Sequence, residues 1–294
     1  VRLVVGFPPG GAPDIMARAL AAQLSASWNQ SVVVENRPGA SEFIAAENVA
    51  RSAPDGYTLY LATEVAIEVN PLLYSKMPYD PKRDFVPVTR ILDGPMMFAV
   101  NPSLPVGNMK EFIEYARAHP GKVSYGSSGN GGQIHLAMAY LGKTSGIELL
   151  HVPYKGISPV ITDMVGGVVL STVAPVSALG PYAQAGKIRA LGVAGDKRIK
   201  LVPDVPTLSE QGYPGLDANW ALYVVAPTGT PLALRNKIAA DIHAIIRDPR
   251  FVEEQFDRYG YTPVGDTPAE FADFLTKDSA KQAARVQAAN IKMD

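Results

Sequence analysis

The sequence predicts an α/β protein made of two domains of similar build. Three observations carry this. Strand and helix signals alternate through the first third of the chain. The arrangement that opens the chain (strand, loop of small residues, helix) returns at Val123-Ser124-Tyr125, Gly126–Gly132 and the helical periodicity of Gln133, Leu136, Tyr140 and Leu141. Glycine and proline are plentiful, at 26 and 25 of 294 residues, which fits many short βα connections.

The opening unit sets the pattern. Val1-Arg2-Leu3-Val4-Val5 is a short apolar strand, Gly6–Gly11 a Pro/Gly turn, and a helix follows with Met16, Leu20 and Leu24 on one face. Asp14 has the chemistry to cap that helix, because a carboxylate accepts from the unpaired N–H groups of a first turn. Pro13 brings no donor. Gly10 and Gly11 let the backbone approach a ligand with no Cβ in the way. Free N–H groups at the positive end of a helix dipole suit a carboxylate, phosphate or sulfate. An ordinary βα turn is the other reading of the same residues.

In order, Ser31–Glu35 reads as a strand, Asn36–Ala40 as a turn, Ile44–Ala50 as a helix and Tyr57–Ala62 as a strand. Thr63–Glu68 would lie at that strand's carboxyl end. In open parallel sheets, ligands bind outside the carboxyl ends of strands, so the loops near Phe7–Asp14, Ala40–Phe43 and Thr63–Glu68 are expected to converge. The apolar run Met96–Val100 enters Asn101-Pro102, where the chain would cross to a second domain. There a helix (Met109–Ala118), the second strand–loop–helix unit, a strand (Leu149–Tyr154), a helix (Val160–Val165), a strand (Val168–Val173), a helix (Ser177–Ala185) and a strand (Ile188–Val193) are expected. Trp220–Val225 would be the return crossing, and the remainder is helical: Leu232–Arg247, Phe251–Tyr259 and Ala269 onwards. The domains so defined are 1–99 with 226–294, and 100–225.

Composition narrows the function. Hydrophobic residues at 47% and charged residues at 19% are those of an ordinary soluble domain. A net charge of −1 gives no basic field for nucleic acid. No apolar run has the length of a membrane span. The chain opens on a strand, which fits a leader removed from the mature protein. Without cysteine there is no disulfide, thiol nucleophile or thiolate metal site. Gly126–Gly132 lacks the Lys-Ser/Thr of a phosphate-binding Walker loop and the Gly-x-Ser-x-Gly spacing of a nucleophile elbow. His119, His135, His151 and His243 are far apart in sequence and lack metal-ligand spacing, so each reads as a structural residue. No cofactor motif and no assembled catalytic group is visible.

The residues are nevertheless distinctive as an ordered set: Phe7-Pro8-Pro9-Gly10-Gly11, Glu35-Asn36-Arg37-Pro38-Gly39-Ala40, Pro54-Asp55-Gly56-Tyr57-Thr58-Leu59, Pro78-Tyr79-Asp80-Pro81, His151-Val152-Pro153-Tyr154-Lys155-Gly156, Pro203-Asp204-Val205-Pro206-Thr207 and Ala226-Pro227-Thr228-Gly229-Thr230-Pro231. Over nearly the whole chain they resemble the Bug receptors, or TctC-like proteins, the periplasmic solute-binding subunits of tripartite tricarboxylate transporters. The resemblance implies a type II periplasmic-binding-protein fold: two α/β domains, two crossover strands and a ligand cleft between the domains. It implies a monomer in the periplasm, without cofactor, that takes a small organic acid and delivers it to membrane permease subunits. It also implies that both glycine loops hold a ligand carboxylate on backbone N–H groups. Phe7, Gly10, Gly11, Ala12 and Asp14 carry over to the first loop. Ser127, Ser128, Gly129, Asn130, Gly131 and Gln133 carry over to the second, with Tyr154 and Lys155 on a bordering loop.

The chain departs from the family pattern in four places. The first loop usually reads close to Gly-Gly-Gly-Thr-Asp, and here Ala12-Pro13 removes donors. Ser41-Glu42-Phe43 stands where glycines are usual. Glu64 and Glu68 stand where small hydroxylated residues are usual. Ala174 stands where many relatives have an Asp that pairs a ligand ammonium, which argues against a standard α-amino acid. Glutamate is rarely buried unpaired, so some or all of Glu42, Glu64 and Glu68 are expected at the solvent, with Glu64 kept as a candidate ligand-binding residue. A Glu64 facing inward would instead call for a ligand bearing an amine, amide, hydroxyl or protonated ring nitrogen. An enzyme on the same fold, with Glu64 or His135 as base, and a ligand sensor are the rival readings.

Overall fold

A computed structural model describes residues 1–214, 216 and 219–290. The chain forms two compact units: Val1–Asp93 with Ala221–Ala283, and Gly94–Trp220 with the end of the C-terminal helix from Ala284. Both limits fall earlier than the sequence boundaries at 99/100 and 225/226: the first just ahead of the expected crossing run Met96–Val100, the second inside the expected return run Trp220–Val225. The expected assignment of 226–294 to the first domain differs at that helix end. It also extends over 291–294, which lie outside the described residues, as do 215, 217 and 218 of the second domain.

The elements in chain order are β1 (Arg2–Val5), α1 (Ala12–Trp28), β2 (Val33–Asn36), α2 (Phe43–Ala50), β3 (Thr58–Thr63), α3 (Asn70–Leu73), α4 (Pro81–Asp84), β4 (Phe85–Val100), α5 (Met109–Ala118), β5 (Val123–Ser127), α6 (Gln133–Ser145), β6 (Leu149–Pro153), α7 (Ile157–Val165), β7 (Ser171–Pro175), α8 (Val176–Gln184), β8 (Arg189–Val193), β9 (Asn219–Pro227), α9 (Leu232–Ile246), α10 (Pro249–Gln255), β10 (Thr262–Pro263) and α11 (Pro268–Ala289).

In the first unit β1 pairs in parallel with β2 and β3, with Val5 opposite both Asn36 and Leu61. The carboxyl ends of the three strands therefore lie side by side. β9 runs antiparallel to β3, and β10 antiparallel to β4. Val4, Tyr60, Tyr223, Phe85 and Phe271 pack together in this unit's core.

In the second unit β5 pairs in parallel with β6 and β7, while β7 and β8 run antiparallel to β4. Its core gathers Met97, Phe98, Phe112, Met138, Leu141, Met164 and Leu179. Each unit thus has a mixed sheet, and the near-continuous apolar run Met96–Val100 is buried throughout between its antiparallel neighbours β7 and β8.

Three expectations about elements are corrected. Val65–Val69 is a widened π-type turn leading into α3, not a loop, and Pro71 sits in the first turn of α3, where its missing N–H costs nothing. β4 begins at Phe85 and runs through Gly94-Pro95, eleven residues ahead of the expected run Met96–Val100. Phe251–Tyr259 is two pieces, α10 and a single 3-10 turn at Asp257–Tyr259.

Candidate functional site

The structure places Phe7, Gly10, Gly11, Ala12, Asp14 and Glu64 in the first unit. Ser127, Ser128, Gly129, Asn130, Gly131, Gln133, Tyr154 and Ala174 lie in the second.

In the first unit the loop before α1 stays open to solvent at Gly10, with Phe7, Gly11 and Ala12 half-buried. Gly11, not Asp14, is the residue that precedes the helix, and no side chain caps it. Asp14 is the third helical residue and is almost fully buried. It accepts from Gly10 N at 2.8 Å, Arg18 Nε at 2.9 Å and Asn36 Nδ2 at 2.8 Å. Burial pushes its pKa up, but these donors outweigh it and hold the carboxyl below its ordinary value. The physical reason for the correction is reach: Asp14 turns back to the loop and ties it down, so its charge is already matched. Asn36 adds a second tie, donating to Phe7 O at 3.0 Å. Intrahelical bonding begins at Ile15 N to Gly11 O, 2.9 Å, so the N–H groups of Ala12 and Asp14 belong to the unsatisfied first turn.

The three loops do converge. Glu42 lies against Gly6, and its carboxylate accepts from Tyr60 Oη at 2.9 Å and from the Thr63 hydroxyl and N–H at the end of β3. The expectation that some or all of Glu42, Glu64 and Glu68 face solvent is overturned, since all three are buried. Each has donors that the sequence does not display: Glu64 Oε2 accepts from Ala221 N at 2.8 Å, and Glu68 Oε2 from Tyr223 Oη at 2.7 Å. Burial pushes Glu42 up to about 7, with Thr63 and Tyr60 opposing. It pushes Glu64 up to about 8 against the Ala221 N–H. It pushes Glu68 up to about 8, helped by the charge of Asp278. At neutral pH Glu64 and Glu68 are therefore mainly protonated carboxylic acids.

In the second unit β5 ends at Ser127, and the loop 128–132 leads into α6, with Gly132 before its first residue. Gly131 has φ 72°, a conformation glycine adopts without steric cost. Ser128 and Asn130 are exposed, and Gly129 is half-buried. Ser127 is fully buried, and its hydroxyl donates to Gly129 O at 3.0 Å and contacts His151 Nε2 at 2.6 Å. Gln133 Nε2 donates to Asn219 O at 2.8 Å, while its Oε1 is buried without a partner. Tyr154 N donates to Ser127 O at 2.9 Å, and its hydroxyl donates to Asp163 Oδ2 at 2.7 Å. Burial, then Asp163, pushes that phenol up to about 12. Lys155 is exposed. Ala174 is buried in β7 opposite Met97.

Two histidines that are distant in sequence come together here. The rings of His135 on α6 and His151 on β6 stack with centroids 3.8 Å apart, and Tyr125 on β5 stacks on His151 at 4.9 Å. Burial, then its neighbour His151, pushes His135 down to about 4, and burial lowers His151. Among the described residues no group of three His, Cys, Asp or Glu could hold a metal ion, and no helix is long and apolar enough to cross a membrane.

The family model described as tripartite tricarboxylate transporter family receptor (TctC) matches residues 16–291. Protein BugT of Bordetella pertussis is 34% identical over the whole of this chain and 90% of its own. A solved R. palustris protein with adipate is 35% identical, covers 99% of this chain and 97% of its own, and has a TM-score of 0.85. MatC from Rhodopseudomonas palustris with bound malate is 27% identical over 97% of this chain and 98% of its own, with a TM-score of 0.80. Another similar structure is described as the periplasmic binding protein BugD. The fold is that of the TctC and Bug periplasmic binding proteins, and the chain belongs to the tripartite tricarboxylate transporter receptor family.

Proposed function

We propose that this protein captures a small organic carboxylate in the periplasm, a mono- or dicarboxylate with aromatic acids included, and delivers it unchanged to the permease of a tripartite tricarboxylate-type transporter. The observation that carries the reading is the repeated loop design. In each unit a parallel strand ends in a small-residue loop that leads into a helix, and the first-turn N–H groups of α1 and α6 are available to an anion. Phe7, Gly10, Gly11 and Ala12 would contact the ligand from one loop, and Ser128, Gly129, Asn130, Gly131 and Gln133 from the other. Asp14 and Ser127 act by holding those loops. Hinge closure would follow from contacts made to both units, because a ligand favours the state that it binds better. A protonated Glu64 carries no charge, so it does not oppose a carboxylate. The adipate and malate in the related structures support the ligand class.

Isothermal calorimetry against adipate, malate and a panel of aliphatic and aromatic mono- and dicarboxylates tests the proposal, with the bound compound recovered afterwards and identified. Binding of at least one carboxylate, recovered unaltered, is expected. Failure of every carboxylate together with binding of another solute class would overturn the ligand assignment. A changed compound would overturn the non-enzymatic reading.

A further inference from the structure

We propose that His135 and His151 are positioning residues that fix the second glycine loop from beneath, so that its N–H groups are set for the ligand before it arrives. The proposal rests on the carboxylate-binding reading above. The loop is short, and both of its ends are tied to this ring pair. At its start, Ser127 Oγ is 2.6 Å from His151 Nε2. At its end, Gly131 N donates to His135 Nδ1 at 3.2 Å. Gly129 is bound into the same network, since its carbonyl takes the Ser127 hydroxyl proton at 3.0 Å and its N–H points to Ser127 Oγ at 3.3 Å. The stacking of the two rings makes the two ties one unit.

The hydrogen-bond directions define the protonation each ring must hold. His135 Nδ1 accepts, so its proton sits on Nε2. With the Ser127 proton spent on Gly129 O, His151 donates from Nε2 to Ser127 Oγ. A proton on His135 Nδ1 would set two donors, ring N–H and Gly131 N–H, against each other. The surroundings keep the pair neutral. β5 contributes Tyr125, β7 has no ionisable side chain, and Asp163 of α7 is engaged by the Tyr154 hydroxyl. Neither histidine therefore gains a carboxylate partner that would favour its charged form. A loop that needed only to turn would not require two half-buried imidazoles, and a pair of apolar side chains would fill the same space. One nitrogen of each ring is spent on the loop: His135 Nδ1 on the Gly131 N–H and His151 Nε2 on the Ser127 hydroxyl.

The test separates a positioning role from simple packing. An asparagine carbonyl reaches the place of a histidine Nδ1, whereas a glutamine amide reaches that of Nε2. His135→Asn should bind adipate, or whichever panel carboxylate the wild type binds, within threefold of wild type at pH 7. His135→Gln and His135→Leu should bind at least tenfold more weakly. Equal affinity for the Asn and Gln variants would overturn the proposal, and this comparison stands even if the Leu variant fails to fold. Imidazole nitrogen NMR of the wild type, with Gly131 amide exchange, gives an answer without ligand. An Nε2–H tautomer at His135 and a slowly exchanging Gly131 amide are expected, and an Nδ1–H tautomer or an unprotected amide would refute the tie. Should no carboxylate bind the wild type, the ligand reading fails while the NMR result still decides the tie.

Discussion

Glu42 packs directly on Gly6. A Cβ added at Gly6 would stand 2.7 Å from Glu42 Cγ and 3.0 Å from Glu42 Oε2. Glu42 cannot swing aside cheaply, because Tyr60 and Thr63 hold its carboxyl group. Gly6→Ala should therefore destabilise the protein by about 1–3 kcal/mol, the range for overpacking a tight site. Urea unfolding measures this. In a Glu42→Gly background the same change should cost well under half as much, since the two sites are coupled by contact. Equal costs in both backgrounds would show that the contact is not the cause.

Glu64 and Glu68 make stability depend on pH in an unusual sense. Burial raises both to about 8, far above the ordinary carboxyl value of 4.5. Between those values the folded state holds protons that the unfolded chain has lost. Their stabilising contribution is complete below about 4.5 and is lost as pH rises through 8. Each group then contributes a slope of up to about 1.4 kcal/mol per pH unit, downward with rising pH. Unfolding midpoints for the wild type, Glu64→Gln and Glu68→Gln from pH 5 to 8.5 test this. Each Gln variant should show a flatter profile than wild type, and parallel profiles would contradict the burial argument.

The sequence makes some of this readable and hides the rest for identifiable reasons. The runs β1–loop–α1 and β5–loop–α6 are visible because their glycines and apolar periods are local. The convergence of Gly6–Asp14 with Glu42 and Thr63 follows from parallel strands having adjacent carboxyl ends. The burial of Glu42, Glu64 and Glu68 is not readable, because Tyr60, Thr63, Ala221 and Tyr223 supply it from other strands. The apolar run begins only at Met96, yet β4 extends back through Gly94-Pro95 to Phe85, with Gly94 giving room to the Trp220 ring. His135 and His151 lie in different elements, so sequence spacing shows them as unrelated. Parallel pairing of β5 with β6 sets Tyr125 opposite His151, and an assumed register would have revealed at least that contact.

Asp14 predicts the opposite pH behaviour to Glu64. Its pKa is lowered in the fold, so its contribution is present above the ordinary value of 3.8 and fades as pH falls through the folded value. Asp14→Ala removes the acceptor shared by the Gly10 N–H, the Arg18 guanidinium and the Asn36 amide, and should cost about 1–3 kcal/mol. It should also weaken carboxylate binding at least fivefold by freeing the first loop. Asp14→Asn keeps an acceptor and should fall between the two. Calorimetry and unfolding at pH 7 distinguish these outcomes, and unchanged affinity in Asp14→Ala would remove Asp14 from the site's support.

Gly131 separates two ways of damaging the second loop. Its φ of 72° lies where a β-branched residue is strained. Gly131→Val should therefore lose about 1–3 kcal/mol of stability and also abolish measurable carboxylate binding. Asparagine tolerates this conformation far better. Gly131→Asn should stay close to wild type in stability, and so reports on access alone. If the ligand approaches the backbone here, Gly131→Asn should bind at least tenfold more weakly while keeping its unfolding midpoint. If Gly131→Asn binds as wild type does and only Gly131→Val fails, the loop matters through its shape, and direct approach of the ligand to Gly131 is ruled out. If both variants keep full affinity, the second loop is not part of the site.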